Sequence, residues 1–410
     1  MQNRLAHWIV VLMVIGIGFQ GVLAAETQPS SAPGKEAVAT ATGAAAASTA
    51  PQAPPAEAKP APTLPAWVQN FKLSGDFRYR QELADDATKD YDRNRARIRA
   101  RLYVGTKVND EVDAMIGLAS GTDESATNTN QELTDAFSSK PVWLDLAFFD
   151  YHPASVKGLN ILGGKIKQPY YFPGDSDILF DTDVRPEGIA ATYKKDLNSS
   201  LKFFGTAAGH YVQERSTEGE SSLWVAQGGL TCAIPNVKDG AVTGGAGFFG
   251  FGDIQGEAAL GTDNTKFRGN TSAGGVYVND YEVFQTFGEV AIPIAGKPFS
   301  VYGELLINTG ADTDEDTGFL VGAGLGKCKD PKSWQVSYNY RDLEADCTIA
   351  ALVDSTFAGG GTAVRGHKIS VGYQIAKNWN AAAAVMIGEK STASTPTDYD
   401  VFLAELNFKF

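Results

Sequence analysis

The chain has 410 residues, 43% hydrophobic and 20% charged, so it is long enough for one large domain and too apolar to be disordered throughout. A net charge of -13 argues against a nucleic-acid partner. Three cysteines, Cys232, Cys328 and Cys347, are too few and too scattered for a disulfide framework or a zinc site.

The N-terminus reads MQNRLAHWIVVLMVIGIGFQGVLAAE. Arg4, an apolar core from Trp8 to Phe19 and the small-residue step at Ala24 have the form of a signal peptide over residues 1–24. The apolar run is roughly a dozen residues, short of the ~20 that a spanning helix needs. Residues 25–66 are Ala, Pro, Thr and Ser with few large apolar side chains, and read as a disordered periplasmic tether. The third unit, 67–410, carries the structured domain.

From Trp67 onward the apolar period is two. FKLSGDFRYR places Phe71, Leu73, Phe77 and Tyr79 on one face and Lys72, Asp76, Arg78 and Arg80 on the other. NRARIRARLYVGTKV alternates Ala96, Ile98, Ala100, Leu102 and Val104 with Arg95, Arg97, Arg99 and Arg101. The pattern recurs about 16 times, with starts near 71, 93, 111, 141, 158, 187, 199, 220, 238, 281, 298, 317, 332, 366, 379 and 400. Alternate connections are short, as at 109, 196 and 376, and the others long and polar, as at 121–140, 168–186, 252–280, 344–365 and 389–399. Short turns on one side and long loops on the other fit a closed antiparallel transmembrane β-barrel of all-β class. The last residues, FLAELNFKF, then pair with the first strand, so the sheet has no edge. Phe402, Leu406, Phe408 and Phe410 are expected on the lipid-facing side.

Inside a barrel the arginine face must point to the lumen, because arginine facing lipid costs about 2–4 kcal/mol near the midplane. The pore-lining basic residues are expected to be Arg78, Arg80, Arg93, Arg95, Arg97, Arg99 and Arg101, with Lys165 and Lys167. A hairpin centred near 87–88 would set Arg78 opposite Arg97, Arg80 opposite Arg95 and Asp76 opposite Arg99. That is a basic wall with a single acid. The third long loop supplies Asp175, Asp177, Asp181, Asp183 and Glu187 as constriction acids, among Tyr170, Tyr171, Phe172, Ile178, Leu179 and Phe180. So apolar a loop is expected to fold against something.

The same stretch resembles the hallmark segment of the putative-porin family of bacterial outer membranes. In that family a strand ending Gly-Lys-x-Lys-x-Pro leads to a loop closing Asp-x-Asp-x-x-Pro-Glu-Gly. The matching residues are Gly164, Lys165, Lys167 and Pro169, then Asp181, Asp183, Pro186, Glu187 and Gly188. The layout is also similar to that of phosphate-selective porins. The resemblance implies an outer-membrane location, an inward-folded third loop and passive diffusion of small hydrophilic solutes and ions. It also implies recognition of Phe410 by the outer-membrane assembly machinery and the homotrimer common among porins.

Other motifs are weaker. GAGFFG at 245–250 fits a dinucleotide fingerprint, but no helix follows it. DTDEDTG at 312–318 is like a calcium loop but lacks its twelfth-position glutamate. His152, His210 and His367 are far apart, and no nucleophile–base pair stands out. Neither catalysis, a cofactor nor a metal is implied. The alternatives are an anion- or phosphate-preferring channel, a barrel enzyme, and a secreted soluble β-protein.

Overall fold

The computed structural model describes residues 70–410 apart from 123–125, 217–218, 262 and 393–394. The expectations for a signal peptide at 1–24 and a tether at 25–66 lie outside the described residues.

Sixteen strands form the barrel: β1 (Phe71–Asp86), β2 (Arg93–Lys107), β3 (Val112–Ser120), β4 (Val142–Tyr151), β5 (Leu159–Lys165), β6 (Glu187–Asp196), β7 (Leu201–Gln213), β8 (Ser221–Ala233), β9 (Ala241–Gly252), β10 (Tyr281–Ile294), β11 (Lys297–Asn308), β12 (Thr317–Gly326), β13 (Trp334–Leu343), β14 (Val364–Ala376), β15 (Trp379–Thr392) and β16 (Thr395–Lys409). Each pairs antiparallel with its neighbours in sequence, and β16 closes on β1. Backbone bonds between Gly75 and Phe410 at 3.0 and 3.1 Å extend that seam to the last residue. From Asp398 to Phe410 the terminal strand therefore has β1 as its partner, which removes the edge.

The first fifteen strands start within three residues of the expected positions, and β16 starts five residues earlier. The loop expected at 389–399 is instead strand from both sides, to Thr392 and from Thr395. Threonine-rich sequence suits a strand that projects beyond the apolar band, where alternation is not required.

Apolar side chains cover the outer face: Leu73, Tyr79, Ile116, Trp224, Val301, Val321, Ile369 and Leu406 are all exposed. That belt is what hydrocarbon would cover. Phe402 departs from it and is buried, with Leu83 and Val385 paired on either side.

A second apolar core lies inside the barrel. Ile178, Leu179 and Phe180 of the third long loop join Phe249, Phe251, Leu306 and Leu320 of the wall and Ile349 and Phe357 of the loop 344–363. The neck of the third loop is built by the motif residues. Gly164 pairs with Gly188, and Ile166 N–H donates to the Pro186 carbonyl at 2.8 Å. Both glycines have positive φ, 120° and 148°. A Cβ on either would stand 2.2 Å from a neighbouring carbonyl oxygen, so only glycine fits.

Candidate functional site

The arginine ladder stands on the inner face of β1 and β2, but its register differs from the expected one. Arg78 faces Arg99, Arg80 faces Arg97 and Asp76 faces Arg101. Each partner is shifted by two residues, and a two-residue slip leaves every side chain on its face. The wall also holds more acid than expected. Glu82 binds Arg97 at 3.0 Å and also Arg95. Asp76 holds Arg99 at 2.9 Å and Arg101 at 2.8 Å. Glu405 reaches from β16 to Arg80 at 2.6 Å and Arg78 at 3.7 Å. Like-charged neighbours on a sheet are unfavourable, and these acids relieve that repulsion. Alternation alone would have found Glu82, which continues the run of Asp76, Arg78 and Arg80. Arg93 stands apart at the exposed end of β2, where it meets Glu132 at 3.2 Å.

The acids of the third loop divide among different partners. Asp183 faces the ladder, 3.5 Å from Arg101 and 3.9 Å from Arg99. Thr129 also donates to it at 2.7 Å. Asp177 turns to the opposite strands and pairs with Arg341 at 2.8 Å and Lys368 at 3.3 Å. Asp181 accepts from the backbone of Asp183 at 2.8 Å and of Ser355 at 3.1 Å. Asp175 is exposed at a left-handed turn, φ 55°.

Lys165 and Glu187 do not join this group. They pair with each other at 2.5 Å, on the strand face that carries exposed Ile189. Their parity is opposite to that of Leu162 and Ala190, which point inward. Lys167 is inside, 5.5 Å over the Tyr103 ring.

Two further loops fold in. Asn128 and Asn130 of the loop 121–141 accept from Arg97 at 3.3 Å and Arg78 at 2.6 Å. In the loop 344–363, the Leu352 carbonyl accepts from Asp181 N–H at 2.7 Å, and Asp354 N–H donates to the Asp177 carbonyl at 3.1 Å. Asp354 also lies 3.3 Å from Arg341. Arg341, Lys368 and Asp354 were missed in the sequence. The signal that could have found the second loop is its apolar run TIAALVDSTFAGG, as unusual for an exposed tip as the third loop's own.

The carboxyls respond to this crowding in opposite directions. Burial pushes Asp181 up, and neighbouring Asp354 and Asp183 push it further, to about 8. Burial beside Asp177 raises Asp354 as well. Burial also works to raise Asp183, but Arg99, the Thr129 hydroxyl and Arg101 outweigh it and hold the carboxyl below the usual range. Arg341 and Lys368 do the same for buried Asp177.

Beside this junction a cavity of about 220 Å³ runs between Arg80 and Glu405 on one side and Asp354, Thr356 and Lys368 on the other. Ala382 and Ala384 line it, and their small side chains leave the space open.

The sequence profile of the family described as Putative porin matches residues 84–275 and 287–410. The chain belongs to that family. It is an outer-membrane β-barrel of the porin type. No curated protein matches it in sequence. Solved structures are similar to it at low identity. OprB of Pseudomonas putida, in its high-pH structure, is 10% identical, with 84% of this chain and 95% of that chain covered and a TM-score of 0.55. OmpF of Salmonella typhi, in complex with daunomycin, is 12% identical, with 83% and 97% covered and a TM-score of 0.49. The outer-membrane channel DcaP of Acinetobacter baumannii is 12% identical, with 83% and 97% covered and a TM-score of 0.48. This porin thus shares the barrel of OprB with little of its sequence.

Proposed function

We propose that the protein is a general-diffusion porin for small hydrophilic solutes and ions. Its selectivity is set where the arginine wall of β1 and β2 meets the acids of the in-folded loops. The observation that carries this reading is the approach of Asp183 to Arg99 and Arg101 inside a closed barrel. Opposed charges across a narrow, poorly screened space act on a passing ion more strongly than in bulk water. The cavity beside Arg80 and Asp354 is the proposed path past the junction.

The pairing of the ladder by Asp76, Glu82 and Glu405 favours a weakly selective pore over a dedicated phosphate channel, which would need free guanidinium groups. The proposed role is transport without catalysis. A signal peptide at 1–24, a periplasmic tether at 25–66, assembly through Phe410 and a homotrimer complete the proposal. Reversal potentials of the purified porin in a planar bilayer under a salt gradient test it. A weak anion preference is expected, moving toward cations in the Arg97→Ser/Arg99→Ser variant. An unchanged potential in that variant would place the selectivity elsewhere.

A further inference from the structure

A larger cavity, about 840 Å³, lies on the short-turn side of the third loop. Its volume is in the range of small-molecule sites. It does not touch the arginine ladder. Phe148, Leu162, Tyr171 and Phe204 form its apolar floor, and Lys167, Lys194 and Lys202 stand around it. Tyr171 is fixed in place: its hydroxyl donates to Glu289 at 2.7 Å, its N–H to the Gln227 side chain at 2.7 Å, and its ring lies 5.2 Å from Phe204. The cavity's two acids are engaged. Asp150 accepts from Asn160 at 2.8 Å, and Asp196 lies 3.8 Å from Lys202. Among the described residues, no hydrogen bond or ion pair engages the Lys194 ammonium, and its strand position places it on the inner face beside Phe204.

Resting on the channel reading above, we infer that this vestibule is a binding station for aromatic monocarboxylates on their way through the pore. The ring of such a solute stacks on Tyr171 and Phe204, and its carboxylate meets Lys194 and Lys202. Both halves of the solute are needed. A compact, strongly hydrated anion such as phosphate gains nothing from an apolar floor and loses hydration over it. A neutral ring leaves Lys194 without a counter-charge. Lysine on a flexible stem suits a carboxylate that must also leave, because it offers a point charge rather than a rigid two-point clamp.

Benzoate is the probe, with acetate carrying the charge alone and benzyl alcohol the ring alone. Calorimetry on the detergent-solubilised full chain measures binding, and a planar bilayer measures blockade of chloride-salt current with the solute added on the short-turn side. Benzoate is expected to bind and to reduce the current at concentrations where the other two do neither. Lys194→Gln is expected to weaken benzoate about tenfold, the loss of one charged hydrogen bond. Phe204→Leu is expected to weaken it about threefold to tenfold, the loss of one ring contact. Heat-modifiable migration confirms that each variant is a folded barrel, and Lys202→Gln replaces any variant that is not. Benzoate binding no stronger than acetate, or unchanged in these variants, overturns the inference. The channel reading fails separately, if the wild type carries no current. Benzoate binding without current would keep the site and remove the channel.

Discussion

The two halves of the lumen wall use the same alternating strands and are filled in opposite ways. Along β1, β2 and β16 the inward side chains are arginines and carboxylates joined by ion pairs, as in Arg80–Glu405 and Arg97–Glu82. Along β7 to β11 aromatic and aliphatic side chains such as Phe249, Val283 and Leu306 alternate with mostly uncharged polar ones such as Thr206, Gln227 and Gln285. Phe249 packs edge-on to Tyr170 and Phe180 of the third loop, with ring centres 5.3 and 5.8 Å apart. A strand dictates only that every second residue faces inward. What it places there decides the rest. An aromatic wall gives a loop something to bury against, which is why the third loop leaves solvent. The charged wall is satisfied by its own ion pairs, with Arg78, Arg80, Arg97 and Glu82 buried, and the loop reaches it with its acids. Packing thus fixes where the loop lies, and on the proposed reading charge sets what passes beside it.

The largest effect should come from breaking the apolar half. Phe180 is 1% exposed, and Phe180→Ala removes a ring held by Tyr170, Phe172 and Phe249. A cost of about 3–5 kcal/mol is typical for such a truncation. The loop should release while the barrel persists, because no strand pairing is touched. Single-channel conductance should rise, with heat-modifiable migration retained. Wild-type conductance in this variant would show that the loop does not narrow the pore.

Breaking the charged half should leave conductance closer to normal and change selectivity. Glu405→Gln strips Arg80 of its partner at 2.6 Å and should move the reversal potential toward anions. Asp183→Asn should move it the same way, since Arg99 and Arg101 lose a shared acid. Arg78, which Glu405 approaches, faces Arg99, so the two sites belong to one charge network and the double variant should depart from the sum of the single ones.

Titration sharpens the same contrast, because Asp181 sits where the halves meet. With the loop docked, its carboxyl is raised from 3.8 to about 8, so the docked state holds the proton more tightly. Docking is therefore strongest below about 4 and weakens as pH climbs to about 8. Over that climb the junction gains negative charge, and the reversal potential should drift toward cations. Asp181→Asn should remove the drift; an identical drift in that variant would assign it to another group.

The smallest effect belongs to Lys165→Gln. Its pair with Glu187 is solvent-accessible, and such pairs are worth about 0–1 kcal/mol. Conductance and reversal potential should both stay at wild-type values, in contrast to every substitution at the ladder.

By itself the sequence determined that this is a barrel and which side chains face inward on β1 and β2. Both follow from a period of two and from the sorting of loop lengths, and each is local along the chain. The apolar residues among the acids at 168–186 likewise marked that loop for burial. Tertiary structure decided everything that depends on register. The ladder pairs two residues away from the expected alignment, and no alternation pattern can detect that, because such a slip preserves both faces. The outward turn of Lys165 and Glu187 follows from the parity that the glycine neck imposes on β5 and β6. Glu405 meets Arg80 across 325 residues of chain, and Ser355 meets Asp181 across 174. Such contacts exist only once sixteen strands have closed, since their position sums every stagger around the barrel and no segment of the chain carries that sum.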